Sequence, residues 1–70
     1  MKVSELEQFE GKLVRITTNT GRVIYGKLER TGVYTFEISE ELLLAGSIKS
    51  IRLATEEEYQ KWLIKKEKIL

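Results

Sequence analysis

All eleven acidic residues of this 70-residue chain are glutamates, and it contains no Asp, His or Cys. The commonest general base, the thiol nucleophile and most metal ligands are therefore missing. Ser, Thr, Tyr, Lys and Glu remain, and nowhere does their spacing suggest a nucleophile with its base or a working pair of carboxylates. The composition points to a binding module rather than an enzyme, with no metal and no cofactor. The side chains suited to binding are aromatic and cationic. Tyr25, Tyr34 and Phe36 could each stack on a nucleic-acid base, an interaction of about 1 to 3 kcal/mol. Lys12, Arg15, Arg22, Lys27, Arg30, Lys49 and Arg52 could neutralise phosphates, although dispersed cations of this kind are ordinarily a solvated surface.

Twelve Lys and Arg against eleven Glu give a formal charge of +1, so the chain as a whole exerts no strong pull on nucleic acid or anionic lipid. Any anion site must be local. The segment from Gly11 to Leu53 carries seven Lys or Arg against Glu29, Glu37, Glu40 and Glu41, an excess of three that favours an anionic partner there. No apolar run approaches the ~18 residues of a spanning helix, and the first residues lack the apolar stretch of a secretion signal. No membrane association and a cytoplasmic location are expected. A chain this short buries only about 60% of the surface its unfolded form exposes. With disulfides and His or Cys metal sites excluded, self-association is the remaining usual aid to stability, and a homo-oligomer is expected.

The elements that would position these side chains are short. Ser4 and Glu7 have capping-box spacing, with Leu6 and Phe9 on one face of a helix that Gly11 ends. From Leu13 the period changes to two, and Val14, Ile16 and Thr18 form the buried face of a first strand. Asn19-Thr20-Gly21 has hairpin-turn chemistry. A second strand from Arg22 to about Arg30 buries Ile24, Gly26 and Leu28 and turns Val23, Tyr25, Lys27 and Glu29 outward. Gly26 in mid-strand would let that strand curl across two sheets. In the third strand, Tyr34, Phe36 and Ile38 share the inner face. Ser39-Glu40-Glu41 is a polar turn, and Leu42 to Ala45 is an apolar run fit for a strand covered on both sides. Ile48, Ile51 and Leu53 belong to a last short strand. Thr55 and Glu58 form a second capping box, opening a helix with Glu56, Glu57 and Glu58 at its start and Lys65, Lys66 and Lys68 near its end, which suits the helix dipole. Its stripe is Tyr59, Trp62, Leu63, Ile69 and the stem of Lys66, with Glu57 and Lys61 paired on the far side. The expected fold is mainly β: one domain spanning 1–70, with a five-stranded, strongly bent SH3-like barrel over 11–53, a short N-terminal helix and a C-terminal helix over 55–69.

Phe9-Glu10-Gly11-Lys12-Leu13-Val14-Arg15-Ile16 followed by Gly21-Arg22-Val23-Ile24-Tyr25-Gly26-Lys27-Leu28 resembles the first motif of the Sm-like family. Ala45-Gly46-Ser47-Ile48-Lys49-Ser50-Ile51 is similar to the second motif of that family and of its Hfq branch. The resemblance covers about residues 4 to 53. It implies the bent barrel, assembly into rings by pairing of edge strands, and binding of single-stranded RNA. In the family, the loop between strands 2 and 3 carries an Asp, a stacking aromatic and an Asn. Here the Asp and Asn are absent, Val33 takes the aromatic position and Thr35 the Asn position, and Ala45 replaces the basic residue of the second motif.

The resemblance places an RNA site on Arg30, Thr31, Gly32, Val33 and Thr35 in the first of two loops, and on Gly46, Ser47 and Lys49 in the second. Gly32 and Gly46 lack a Cβ, so backbone N–H groups there could approach a phosphate or a base edge, with Arg30 and Lys49 flanking. Two readings follow. The one ranked first is an oligomeric RNA-binding module. The other is a protein-interaction or assembly module using strand edges and the apolar stripe of the last helix.

Overall fold

The computed structural model describes residues 1–68. The chain runs α1 (Val3–Glu7), β1 (Leu13–Thr18), β2 (Val23–Lys27), β3 (Glu29–Arg30), β4 (Thr35–Ile38), β5 (Glu41–Leu44), a 3-10 turn (Ala45–Ser47), β6 (Ile48–Leu53) and α2 (Glu56–Lys68). The strands make two three-stranded antiparallel sheets, ordered β2-β1-β6 and β3-β4-β5. The fold is mainly β, and among the described residues no strand pairing closes either sheet. Ile69, expected on the stripe of the last helix, lies outside the described residues.

Alternation determines which side chains meet between the sheets. In β1, Val14, Ile16 and Thr18 are buried while Leu13, Arg15 and Thr17 are half-buried on the other face. Thr18 is polar but satisfied: its hydroxyl meets that of Thr20 at 3.0 Å and accepts the Arg22 N–H at 3.1 Å. Ile24 and Leu28 follow the same rule, and Phe36, Ile38, Ala45, Ile48 and Leu6 complete the core.

The single strand expected from Arg22 to Arg30 is in fact two. Its first half pairs with β1 in one sheet and its second with β4 in the other, the break falling at Leu28, whose N–H and C=O are held by Lys12 and Gly11. Gly26 marks the close approach that this crossing needs. At φ +157° it lies against Ile38 and Ser39, where a Cβ would collide with the Ser39 hydroxyl.

Three further expectations are corrected. Helix α1 starts at Val3 with Lys2 as its N-cap, not at Ser4; the Lys2 N–H donates to Glu5 Oε1 at 3.4 Å, and this setting buries Leu6 completely. Tyr34, expected inside, is 67% exposed, because the bend over Gly32 to Tyr34 delays the strand until Thr35. Leu42 and Leu44, expected to be covered, are 66% and 60% exposed, since β5 is an edge strand and only Leu43 turns towards the core. Leu53, at the end of β6 on an edge of the first sheet, is 56% exposed.

Helix α2 begins as its sequence indicates. The Thr55 hydroxyl accepts the Glu58 N–H at 3.2 Å, and Glu58 Oε1 accepts the Thr55 N–H at 3.0 Å. Glu57 and Lys61 pair at 3.1 Å on the exposed side.

Candidate functional site

The two loops singled out by sequence lie side by side. The Ala45 N–H donates to the Tyr34 carbonyl at 2.8 Å, and Thr35 pairs with Leu44 across β4 and β5. Tyr34, Leu44, Ala45 and Gly46 line an open, mostly apolar groove of about 590 Å³ together with residues 1–4 at the start of the chain.

Within the first loop the expected RNA ligands are largely engaged with one another. Arg30 Nε donates to the Gly32 carbonyl at 2.9 Å, Nη2 to the Val33 carbonyl at 3.2 Å, and Nη1 to Glu7 at 3.0 Å. Its guanidinium therefore braces the loop against α1. Thr31 donates through its hydroxyl to that of Thr35 at 3.0 Å, and the N–H groups of Thr31 and Gly32 both point at the Thr35 carbonyl. Val33 projects from the tip, 66% exposed.

In the second loop, Ser47 Oγ donates to the Leu44 carbonyl at 2.7 Å. Asn19 clamps the turn from the far side, its Nδ2 donating to the Gly46 carbonyl at 2.8 Å and its backbone N–H to the Ser47 carbonyl at 2.9 Å. A Cβ at Gly46 would meet open space. Lys49 is exposed and makes no ion pair among the described residues. Of the two cations expected to flank the site, Lys49 is thus free and Arg30 is occupied.

A second surface escaped the sequence reading. Tyr25, on the outward face of β2, meets Trp62 of α2 with ring centroids 6.0 Å apart and planes tilted by 46°. Trp62 in turn lies 6.1 Å from Tyr59 at 23°, and Lys66 Nζ stands 4.9 Å from the Trp62 ring centre, a cation–π distance. The helix is pinned by a two-pronged bond from Arg52, whose Nη1 and Nη2 reach the two Glu58 carboxylate oxygens at 3.2 and 2.8 Å. Those bonds, followed by the one from the Thr55 N–H, hold the Glu58 carboxyl down to about 2 from an ordinary 4.5. Beside this cluster runs a groove of about 650 Å³ between β2 and α2. The sequence did mark both halves, since alternation turned Tyr25 outward and the helical stripe contained Trp62. What it lacked was any sign that the two meet.

Among the described residues no cluster of three or more acidic or metal-binding side chains could hold a metal ion, and no helix is long and apolar enough to cross a membrane. No protein family, curated protein or solved structure matches this chain.

Proposed function

We propose that this chain is a non-enzymatic Sm-like assembly module, its two sheets forming a strongly bent SH3-like barrel that joins copies of itself through strand edges. The observation that carries this reading is the free edge at β5. There Leu42 and Leu44 stand exposed on a strand with no partner beyond it among the described residues, with Val33 and Tyr34 exposed in the nearby loop. Unpaired edges with large apolar side chains invite another strand, and natural monomers blunt them with charge, proline or a covering loop. Fully burying one such side chain is worth roughly 1.5 to 3 kcal/mol, so covering even part of this set is a large gain for so small a domain. In the other sheet the edge strand β6 carries the exposed Leu53. Two different free edges on one chain suit head-to-tail association, which closes into a ring when the rotation allows.

Light scattering at high micromolar concentration should give a mass that is a multiple of 8.1 kDa. Replacing both leucines, Leu42→Lys with Leu44→Lys, should give a folded monomer. A wild-type chain that stays at the single-chain mass overturns the reading.

RNA binding by the loops is the second reading, favoured by the bond that joins Tyr34 to Ala45 and by the free Lys49. It ranks below assembly because the Arg30 guanidinium and the Gly32 N–H already have partners within the loop and α1. A gel-shift series with single-stranded RNA at increasing salt, compared with Lys49→Ala, tests it directly.

A further inference from the structure

We propose that the groove between β2 and α2 binds single-stranded nucleic acid, taking a base against Tyr25 and Trp62 and the adjoining phosphates on Lys65 and Arg15. This site is separate from the two loops and from the strand edges. Its floor is aromatic and aliphatic, formed by Tyr25, Trp62, Val23 and Ile64. It is an open groove of about 650 Å³, a volume within the range of small-molecule sites. A base offers a flat π-face to such a floor whatever its identity, which is how sequence-tolerant single-strand binders work.

The charges around the groove select an anion. Among the described residues Glu58 is the one carboxylate in its lining, and the two-pronged bond from Arg52 already neutralises it. Lys61 is shared with Glu57, but Lys65 makes no ion pair among the described residues. Register places Arg15 directly between Tyr25 and Arg52 on the outward face of the sheet, again without an ion-pair partner among the described residues. Two uncompensated cations thus flank the aromatic floor, with Lys66 a third, already seated on Trp62. An acidic peptide would satisfy the cations and leave the stacking faces unused.

Trp62 is the single tryptophan of the chain, so its fluorescence reports the surroundings of α2 and not the two loops. The full chain is titrated with ten-nucleotide oligouridylate and oligoadenylate at about 50 mM salt, where phosphate contacts are strong. Saturable quenching is expected, with an affinity that falls as salt rises. Lys65→Glu, a change at an exposed position with no partner to lose, should weaken binding and flatten the salt slope by about 0.7, the value for one single-strand phosphate contact. Tyr25→Leu should weaken it about tenfold through lost stacking, within the range measured for base–aromatic contacts. Lys49→Ala should leave the Trp62 response unchanged, which separates this site from the loops.

Four results would overturn the proposal. These are an unchanged Trp62 signal while gel shift detects binding, equal quenching by heparin, undiminished affinity in Lys65→Glu, and a Trp62 shift that follows protein concentration without nucleic acid. The first would assign binding to the loops, the second would mark a general polyanion surface, and the last would make the groove a contact between copies.

Discussion

Replacing Gly26 by Ala tests the device on which the arrangement of the two sheets depends. The new methyl group would collide with the Ser39 hydroxyl and approach Ile38 Cγ1 to 3.1 Å and the Ser39 backbone nitrogen to 3.3 Å. The hydroxyl can rotate away only by giving up its bond to the Tyr25 carbonyl, which is worth about 1 kcal/mol. Ile38 is fully buried, so moving it disturbs a packed core, and the positive φ of Gly26 adds backbone strain for any L side chain. Together these effects should cost about 2 to 3 kcal/mol. A 70-residue domain has only ~4 to 10 kcal/mol in all. Thermal unfolding followed by circular dichroism should show a fall of about 10 to 20 °C. Ser39→Gly in the same chain should restore part of the loss, because it removes the colliding hydroxyl and relaxes a residue held at φ +47°. A Gly26→Ala chain that melts within a degree or two of wild type would refute the close approach and the bend built on it.

Two further outcomes follow from local geometry. The turn between β4 and β5 holds both Ser39 and Glu40 at positive φ, 47° and 66°, so Glu40→Gly should stabilise the fold by about 0.5 to 1 kcal/mol, read as a rise of a few degrees in melting temperature. The second concerns pH. Folding holds the Glu58 carboxyl at about 2 against an ordinary 4.5, so its contribution to docking α2 is complete above pH 4.5 and is lost as pH falls towards 2. Trp62 emission should shift to the red across that window in the wild type and change less in Glu58→Gln; identical acid titrations would refute the assignment.

What the sequence made legible was local. Thr55 and Glu58 are three residues apart, and their reciprocal bonds follow from that spacing alone. The burial of Val14, Ile16 and Thr18 follows from a period of two, and Asn19-Thr20-Gly21 turns where its residues allow, Gly21 at φ +86°. What it did not make legible required knowledge of distant partners. Alternation carried past the start of a strand put Tyr34 inside, but the chain between Gly32 and Tyr34 is held by Arg30 and Thr35 in a bend that alternation does not govern. The run Leu42 to Ala45 looks like a covered strand because its composition is that of one; whether anything covers it depends on a neighbour, not on the run itself. The meeting of Tyr25 with Trp62 joins residues far apart in sequence and has no local signature.

Edge pairing and the groove between β2 and α2 are compatible, and each would strengthen the other. Strand addition uses the backbone groups in the plane of the sheet, whereas the groove opens on the outward face. The row Tyr25, Arg15 and Arg52 crosses that face from β2 to β6, ending at the strand whose free edge a neighbour would occupy. In a head-to-tail assembly the row would therefore lead towards the next copy, and a single nucleic-acid strand could engage several grooves in succession. Each additional groove would then be filled at the effective concentration set by the intervening nucleotides, so weak stacking at one site becomes firm binding over several. It follows that Leu42→Lys with Leu44→Lys, which leaves every groove residue in place, should weaken the binding of a long oligonucleotide far more than that of a short one. Equal weakening for both lengths would mean that assembly and nucleic-acid binding act independently.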